Sequence, residues 1–338
     1  MSGFIPSAES FAKGVLATAS TAITIGAGLV YYGQNYLIYP SAYFSLGPEA
    51  DIIHRPQADY GLPSEELELK TPDGVLLRCY LLYQQKDLPR PKRMASIPLT
   101  PIPTSPNETD DEFMAGRPTV IMFHGNAGNL GHRLPLGMIF SRTMRCNVLM
   151  VSYRGYGKSE GSPSEKGFQI DAQTALNFLL SDPRFSRTQI FLYGQSIGGA
   201  VAIDLASQNP TKIAALILEN TFTSLPNLVP DVLPMLGRVS FLCHQKWDSA
   251  SKAPKLPAKM PVLLLSGKDD LLIPPLHMQR LRDHFHARGE DNVTYFEEFP
   301  GGGHNDTCNA KDYWSKVAHF VGSVVHSVPY DTTTPIAP

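Results

Sequence analysis

Residues 189–202 read QIFLYGQSIGGAVA: an apolar run, a glycine, a serine two positions on, and then small residues. The run suits a strand and the small residues a closely packed helix, so Gly194–Gln195–Ser196–Ile197–Gly198 must turn the chain between them. A serine in so sharp a strand-to-helix turn takes a strained backbone, which flanking glycines tolerate because they carry no Cβ. Its hydroxyl is then held out at the carboxyl end of a sheet, where a nucleophile would stand. Chance matches to Gly-x-Ser-x-Gly are common in ordinary turns. The weight therefore rests on whether an acid and a base follow, each after its own strand.

The chain around this turn has the organisation it needs. Apolar runs at 119–123, 148–153, 189–193, 213–218, 261–265 and 293–299 alternate with helix-length segments, which predicts a mostly parallel central sheet with helices on both faces. With 338 residues, 43% of them hydrophobic, the chain can bury one α/β core and carry appendages. A net charge of −2 offers no general field for nucleic acid, and that partner class is excluded. Cys79, Cys146, Cys243 and Cys308 are scattered, with no pair or Cys/His cluster at zinc spacing, so neither a metal nor another cofactor is expected.

Residues 65–70 and 75–83, joined by Thr71-Pro72-Asp73-Gly74, read as a hairpin opening the sheet. The stretch 84–118, crowded with Pro, Ser, Thr and charges, reads as a mostly disordered surface insertion. Ser162-Pro163-Ser164-Glu165 predicts a capping box with proline at the first helical position, and Phe168, Ala172, Ala175, Leu176 and Leu179 then recur at helical spacing. Residues 221–260, broken by five prolines, are expected to form a short cap over the site.

From Gly14 to Tyr32 the chain reads GVLATASTAITIGAGLVYY, with no charge between Lys13 and Glu49 and a group of tyrosines at its carboxyl edge. That length suits one membrane crossing of roughly 20 residues. A cleaved signal peptide, with Ala17-Thr18-Ala19 as a weak cleavage site, and a helix buried against the domain are the competing readings. The anchor is favoured, giving a tail at 1–13, a membrane helix at 14–32, a linker at 33–64, a catalytic domain at 65–326 and a tail at 327–338. The expected location is a single-pass protein of the endoplasmic reticulum, another endomembrane or the plasma membrane. Lys13, the one basic residue near either end, favours an amino terminus in the cytosol, and both orientations stay open.

A serine hydroxyl needs a base that takes its proton as it attacks. His304 is the candidate, since Pro300-Gly301-Gly302-Gly303 follows a predicted strand and can bend an imidazole back over the sheet edge. The histidine in turn needs a carboxylate, which Asp269 or Asp270, just beyond the strand 261–265, can supply. Oxyanion donors are expected from the Ile197 N–H and, in the turn His124-Gly125-Asn126-Ala127-Gly128-Asn129, from the Asn126 N–H. Arg154 is assigned to tying loops together, and Glu219-Asn220 stays unassigned.

The strings HGNAGN, SYRGYGKSEGSP, GQSIGGA, GKDDLLIP and GGGHNDT together resemble serine hydrolases of the α/β-hydrolase superfamily. Within it, the chain is similar to the membrane-anchored bud-emergence homologue group of fungi and its animal counterpart, α/β-hydrolase domain-containing protein thirteen. The resemblance implies the α/β-hydrolase fold, with Ser196 as nucleophile, His304 as base and Asp270, in preference to Asp269, as the acid. It also implies an ester or thioester hydrolase. Some relatives remove fatty acyl groups from proteins, which extends the expected substrates from acylated small molecules and lipids to acyl-proteins. The alternative is a hydrolase-fold scaffold that binds a lipid or protein at a membrane with little turnover.

Overall fold

The computed structural model describes residues 8–43, 54–89, 107–126 and 128–326, with backbone alone for 8–19, 21–23 and 41. Eight strands form one sheet: β1 Ser64–Lys70, β2 Leu76–Leu82, β3 Thr119–Phe123, β4 Asn147–Val151, β5 Ile190–Gln195, β6 Ala215–Glu219, β7 Val262–Gly267 and β8 Thr294–Phe299. Their order is β1-β2-β4-β3-β5-β6-β7-β8. β2 runs antiparallel to β1 and β4, and every later pairing is parallel. β3 to β7 are buried along their whole length, whereas β1 and β8, at the two edges, are only partly covered. Apolar runs without polar alternation are what strands covered on both faces require.

The helices are α1 Ala8–Ile38, α2 Pro56–Tyr60, α3 Asp110–Ala115, α4 Leu134–Arg142, α5 Glu165–Ser181, α6 Ile197–Gln208, α7 Leu225–Val232, α8 Ser249–Lys252, α9 Leu276–His286 and α10 Tyr313–His326. Alternate residues of the strands feed two separate cores. One joins Ile121, Leu192 and Leu264 to Phe168, Val201 and Leu281 of α5, α6 and α9. The other joins Val120, Tyr193 and Leu263 to Met138, Val317 and Phe320 of α4 and α10. α5 starts two residues later than its sequence predicts. Ser164 is the cap, accepting from Gly167 N at 3.0 Å, and the Glu165 carboxylate accepts from the backbone of Lys246 and Trp247 instead of closing a capping box.

Both ends of the proline-rich insertion are ordered, contrary to expectation. Gln84 is buried and donates to the carbonyls of Ser141 and Cys146. α3 carries a complete capping box between Thr109 and Glu112 and buries Phe113 and Met114, with the Arg117 guanidinium 3.9 Å from the Phe113 ring. Two apolar side chains placed on one face of a capped turn are enough to dock it. Residues 90–106, which hold most of the prolines of this stretch, lie outside the described residues, as do 44–53 and the tail 327–338.

The amino-terminal expectations need correction. Residues 14–32 fall inside the longer helix α1, and among the described residues no helix is long and apolar enough to cross a membrane. The carboxyl end of α1 is also not the start of a linker. Gln34 is buried and accepts from the backbone N–H groups of His244 and Gln245, and the Tyr31 ring meets His244 edge-on at 4.9 Å. Tyr39 is fully buried, donating to Gln245 and accepting from the Trp247 indole at 3.0 Å. Thus residues 30–43 are part of the domain. No local pattern marks this docking, because the contacts that hold the segment come from residues about 200 positions later.

Candidate active site

The register of the parallel strands brings the ends of β3, β5, β6 and β7 to one rim, with Phe123 beside Gly194, Gln195 beside Glu219, and Glu219 beside Leu265. Ser196 comes one residue past β5, at φ +56° and ψ −124°, a conformation costly for any residue with a side chain. Three bonds hold it: its N–H donates to Glu219 O, and its carbonyl accepts from Gly199 N and from Thr221 Oγ1 at 2.7 Å. The flanking glycines are needed for space. A Cβ on Gly194 would lie 2.3 Å from Gly198 O, and one on Gly198 would lie 2.1 Å from Phe123 O. β3, the turn and the first turn of α6 can approach this closely only where no side chain intervenes.

His304 follows β8 through a loop that turns at Gly301, whose φ is +77°. Its Nε2 lies 3.1 Å from Ser196 Oγ and its Nδ1 2.8 Å from Asp270 Oδ2. A carboxylate can only accept, so the ring proton sits on Nδ1 and Nε2 is free to accept from the serine. Asp270 is buried and its other oxygen accepts from Leu272 N and Ile273 N at 2.9 and 2.8 Å, whereas Asp269 points to solvent. The structure thus brings Ser196, His304 and Asp270 into one hydrogen-bonded chain.

Ile197 is the first residue of α6, so its N–H has no acceptor within the helix and sits at the positive end of the helix dipole. Gly125 packs on the nucleophile, a Cβ there lying 3.5 Å from Ser196 Cβ, and the next residue, Asn126, lines the same cavity as Ser196 and Ile197. The Asn126 side chain is engaged elsewhere, donating to Ile38 O at the end of α1 and accepting from the Tyr156 hydroxyl. Only its backbone can face a developing oxyanion. His124, just before, is buried with Nδ1 2.7 Å from Gly125 O, and desolvation pushes its pKa down to about 4.

Several supporting residues escaped the sequence reading. Asn220, at φ +44°, donates to the carbonyls of Gly303 and His304 and to Thr307 Oγ1, and accepts from Gly267 N, so one amide ties β7 to the histidine loop. Gln195 Nε2 adds a second bond to His304 O at 3.1 Å. Glu219 is buried under the rim with its pKa raised by desolvation, and Tyr193 and Tyr313 donate their hydroxyls to it. Position at a strand end was the one available signal for Asn220. Arg154 does tie loops together, through Asp171 and the hairpin-turn residue Asp73.

Over these groups lies a cavity of about 400 Å³. Val30, Leu37 and Ile38 of α1 form one wall, and Phe222, Leu225 and Leu228 with the 3-10 turn Pro234–Leu242 form the cap. A hydroxyl hydrogen-bonded to an imidazole, itself held by a buried carboxylate, can attack a carbonyl without any metal ligand. Among the described residues no cluster of metal-ligating side chains occurs.

Known proteins share this architecture. A profile of the α/β-hydrolase fold family matches residues 118–239. Protein bem46 of Schizosaccharomyces pombe is 41% identical over 306 residues, covering 90% of this chain and 91% of its own. The chain belongs to the α/β-hydrolase family, in the bem46 group. An uncharacterized membrane protein of Saccharomyces cerevisiae is 34% identical and covers 88% of this α/β-hydrolase and 92% of itself. Among solved structures, an esterase of Pyrococcus furiosus shares the fold with a TM-score of 0.58 at 18% identity, over 79% of this chain and 92% of its own.

Proposed function

We propose that this protein is a serine hydrolase that cleaves a carboxylic ester or thioester through an acyl-enzyme. Ser196 Oγ attacks the acyl carbon while His304 Nε2 takes its proton, and Asp270 stabilises the imidazolium that forms. The oxyanion collects hydrogen bonds from the N–H groups of Ile197 and Asn126, one such donor being worth roughly 3–4 kcal/mol of barrier. The intermediate collapses, the alcohol or thiol leaves with the proton from His304, and water then repeats the sequence on the acyl-serine. The observation that carries the reading is the unbroken bond chain from Ser196 to Asp270 at the floor of an apolar cavity.

An apolar cavity favours acyl chains over small polar acids, so the substrates proposed are acylated small molecules, lipids or acyl-proteins, with acyl-protein thioester cleavage included. Membrane association is part of the reading. It is supported by the relative named a membrane protein and by Leu29, Tyr32 and Tyr36 of α1 and Met235 and Phe241 of the cap, which expose large apolar surfaces.

The test is labelling of the purified full chain with a fluorophosphonate, beside Ser196→Ala. Labelling should vanish in the variant, and turnover of octanoyl esters and thioesters should fall by roughly 10⁶ where chemistry limits. A folded wild type that does not label would move the reading to a binding scaffold.

A further inference from the structure

Arg133 closes the 3-10 turn Leu130–Arg133 that follows the Asn126 loop, and it lines the same cavity as Ser196 and His304. A guanidinium thus shares the cavity with the reacting groups. Its Nε is buried without a hydrogen-bond partner, and among the described residues the guanidinium makes no ion pair. Glu219 senses its charge, yet takes its hydrogen bonds from the two tyrosine hydroxyls. No aspartate or glutamate is among the described residues lining the cavity. The cavity wall is therefore apolar on the α1 and cap side and cationic on the Arg133 side.

A guanidinium whose Nε is shut off from water with no acceptor among the described residues is costly, and that cost is recovered when a ligand supplies a carboxylate or phosphate. We infer that Arg133 is an anion-recognition residue, and that the substrate is an ester or thioester with an apolar acyl chain and a negative charge on its leaving group, close to the scissile bond. The acyl chain lies against Leu37, Leu225 and Leu228, the carbonyl meets Ser196, and the anionic part of the alcohol or thiol pairs with Arg133. This deepens the proposed hydrolase reading and rests on it for the assignment of leaving group and acyl chain.

Two measurements on the full chain test it. The first compares kcat/KM for 4-carboxyphenyl octanoate and its neutral near-isostere 4-carbamoylphenyl octanoate in wild type, Arg133→Gln and Arg133→Lys, the ratio of variant to wild type cancelling intrinsic reactivity. Loss of a charge-assisted hydrogen bond predicts that Arg133→Gln lowers the anionic ester roughly 10- to 100-fold more than the neutral one, chiefly through KM, with Arg133→Lys in between. An equal loss on both esters, or a loss confined to kcat, overturns the proposal, because the guanidinium would then be serving the fold or the oxyanion. The second measures calorimetric binding of decyl phosphate and decanol to Ser196→Ala with Arg133 intact or replaced by Gln. Decyl phosphate should bind at least tenfold more weakly without Arg133, and decanol should show no such difference. Equal phosphate binding in both backgrounds overturns the inference. This second measurement needs no turnover, so absence of Ser196-dependent hydrolysis would count against the hydrolase reading while the anion site is judged separately.

Discussion

Asn220 shows how a single side chain fixes the site from beneath. Its amide bridges Gly267 and residues 303–307, loops that must stay in register for His304 to reach both Ser196 and Asp270. Replacing it by alanine strands the buried Gly267 N–H and removes one of the two donors on each of the Gly303 and His304 carbonyls, which keep their bonds from Thr307 Oγ1 and Gln195 Nε2, at a cost of about 1–3 kcal/mol. Asn220→Ala is expected to lower Tm by roughly 5–10 °C and kcat more than tenfold with KM little changed. Asn220→Gly, which keeps the backbone conformation without the amide, should show the same kcat loss. Calorimetry and steady-state kinetics check both, and a normal kcat in Asn220→Gly would remove the amide from its positioning role. Ser196 and His304 were legible because each belongs to a short string at the end of an apolar run, and Asp270 was preferred to Asp269 through the resemblance to α/β-hydrolases. Asn220 was not legible, because its partners lie 47 to 87 positions away and only the sheet order brings them together.

At the scale of elements, the carboxyl end of α1 changes what the amino-terminal segment is for. Tyr39 is sealed between Phe168, Gln245 and Trp247, where burial holds its phenol protonated, and Ile38 receives a bond from the Asn126 side chain. The segment that follows the proposed membrane-associated part is thus a wall of the active-site cavity. Deleting residues 1–29 should leave thermal stability nearly intact, whereas deleting 1–43 or making Tyr39→Ala should cost about 3–5 kcal/mol, the usual price of removing a buried aromatic ring. Equal melting temperatures for chains starting at residues 30 and 44 would show that the segment is not integral to the domain. The alternation of strands and helices was readable from hydrophobic patterning alone. The docking of residues 30–43 and of α3 was not, since both depend on surfaces that exist only once the sheet is covered.

For the whole molecule, stability should depend on pH through histidines whose pKa values burial lowers. His124 has its pKa lowered to about 4 by desolvation, and His277 is lowered for the same cause. Between about 6.5, the value of a free imidazole, and 4, the unfolded chain takes up a proton that the folded chain refuses, so stability falls as pH drops through this window. The His124 contribution is on the order of 3 kcal/mol. Denaturant unfolding at pH 7 and pH 4.5 should show a smaller acid loss in His124→Asn than in wild type, and parallel losses would assign the effect elsewhere. The sequence by itself determined the parallel sheet, the strained serine turn and the candidate nucleophile and base, because hydrophobic period, glycine spacing and strand-end position are local properties, and the resemblance to α/β-hydrolases added the choice of Asp270 as the acid. Only the tertiary structure decided that α1 walls the cavity and that Arg133 stands in it with its Nε unpaired among the described residues. Those are matters of which surfaces meet, and they follow from the order of strands and the packing of distant segments, which no short window of sequence contains.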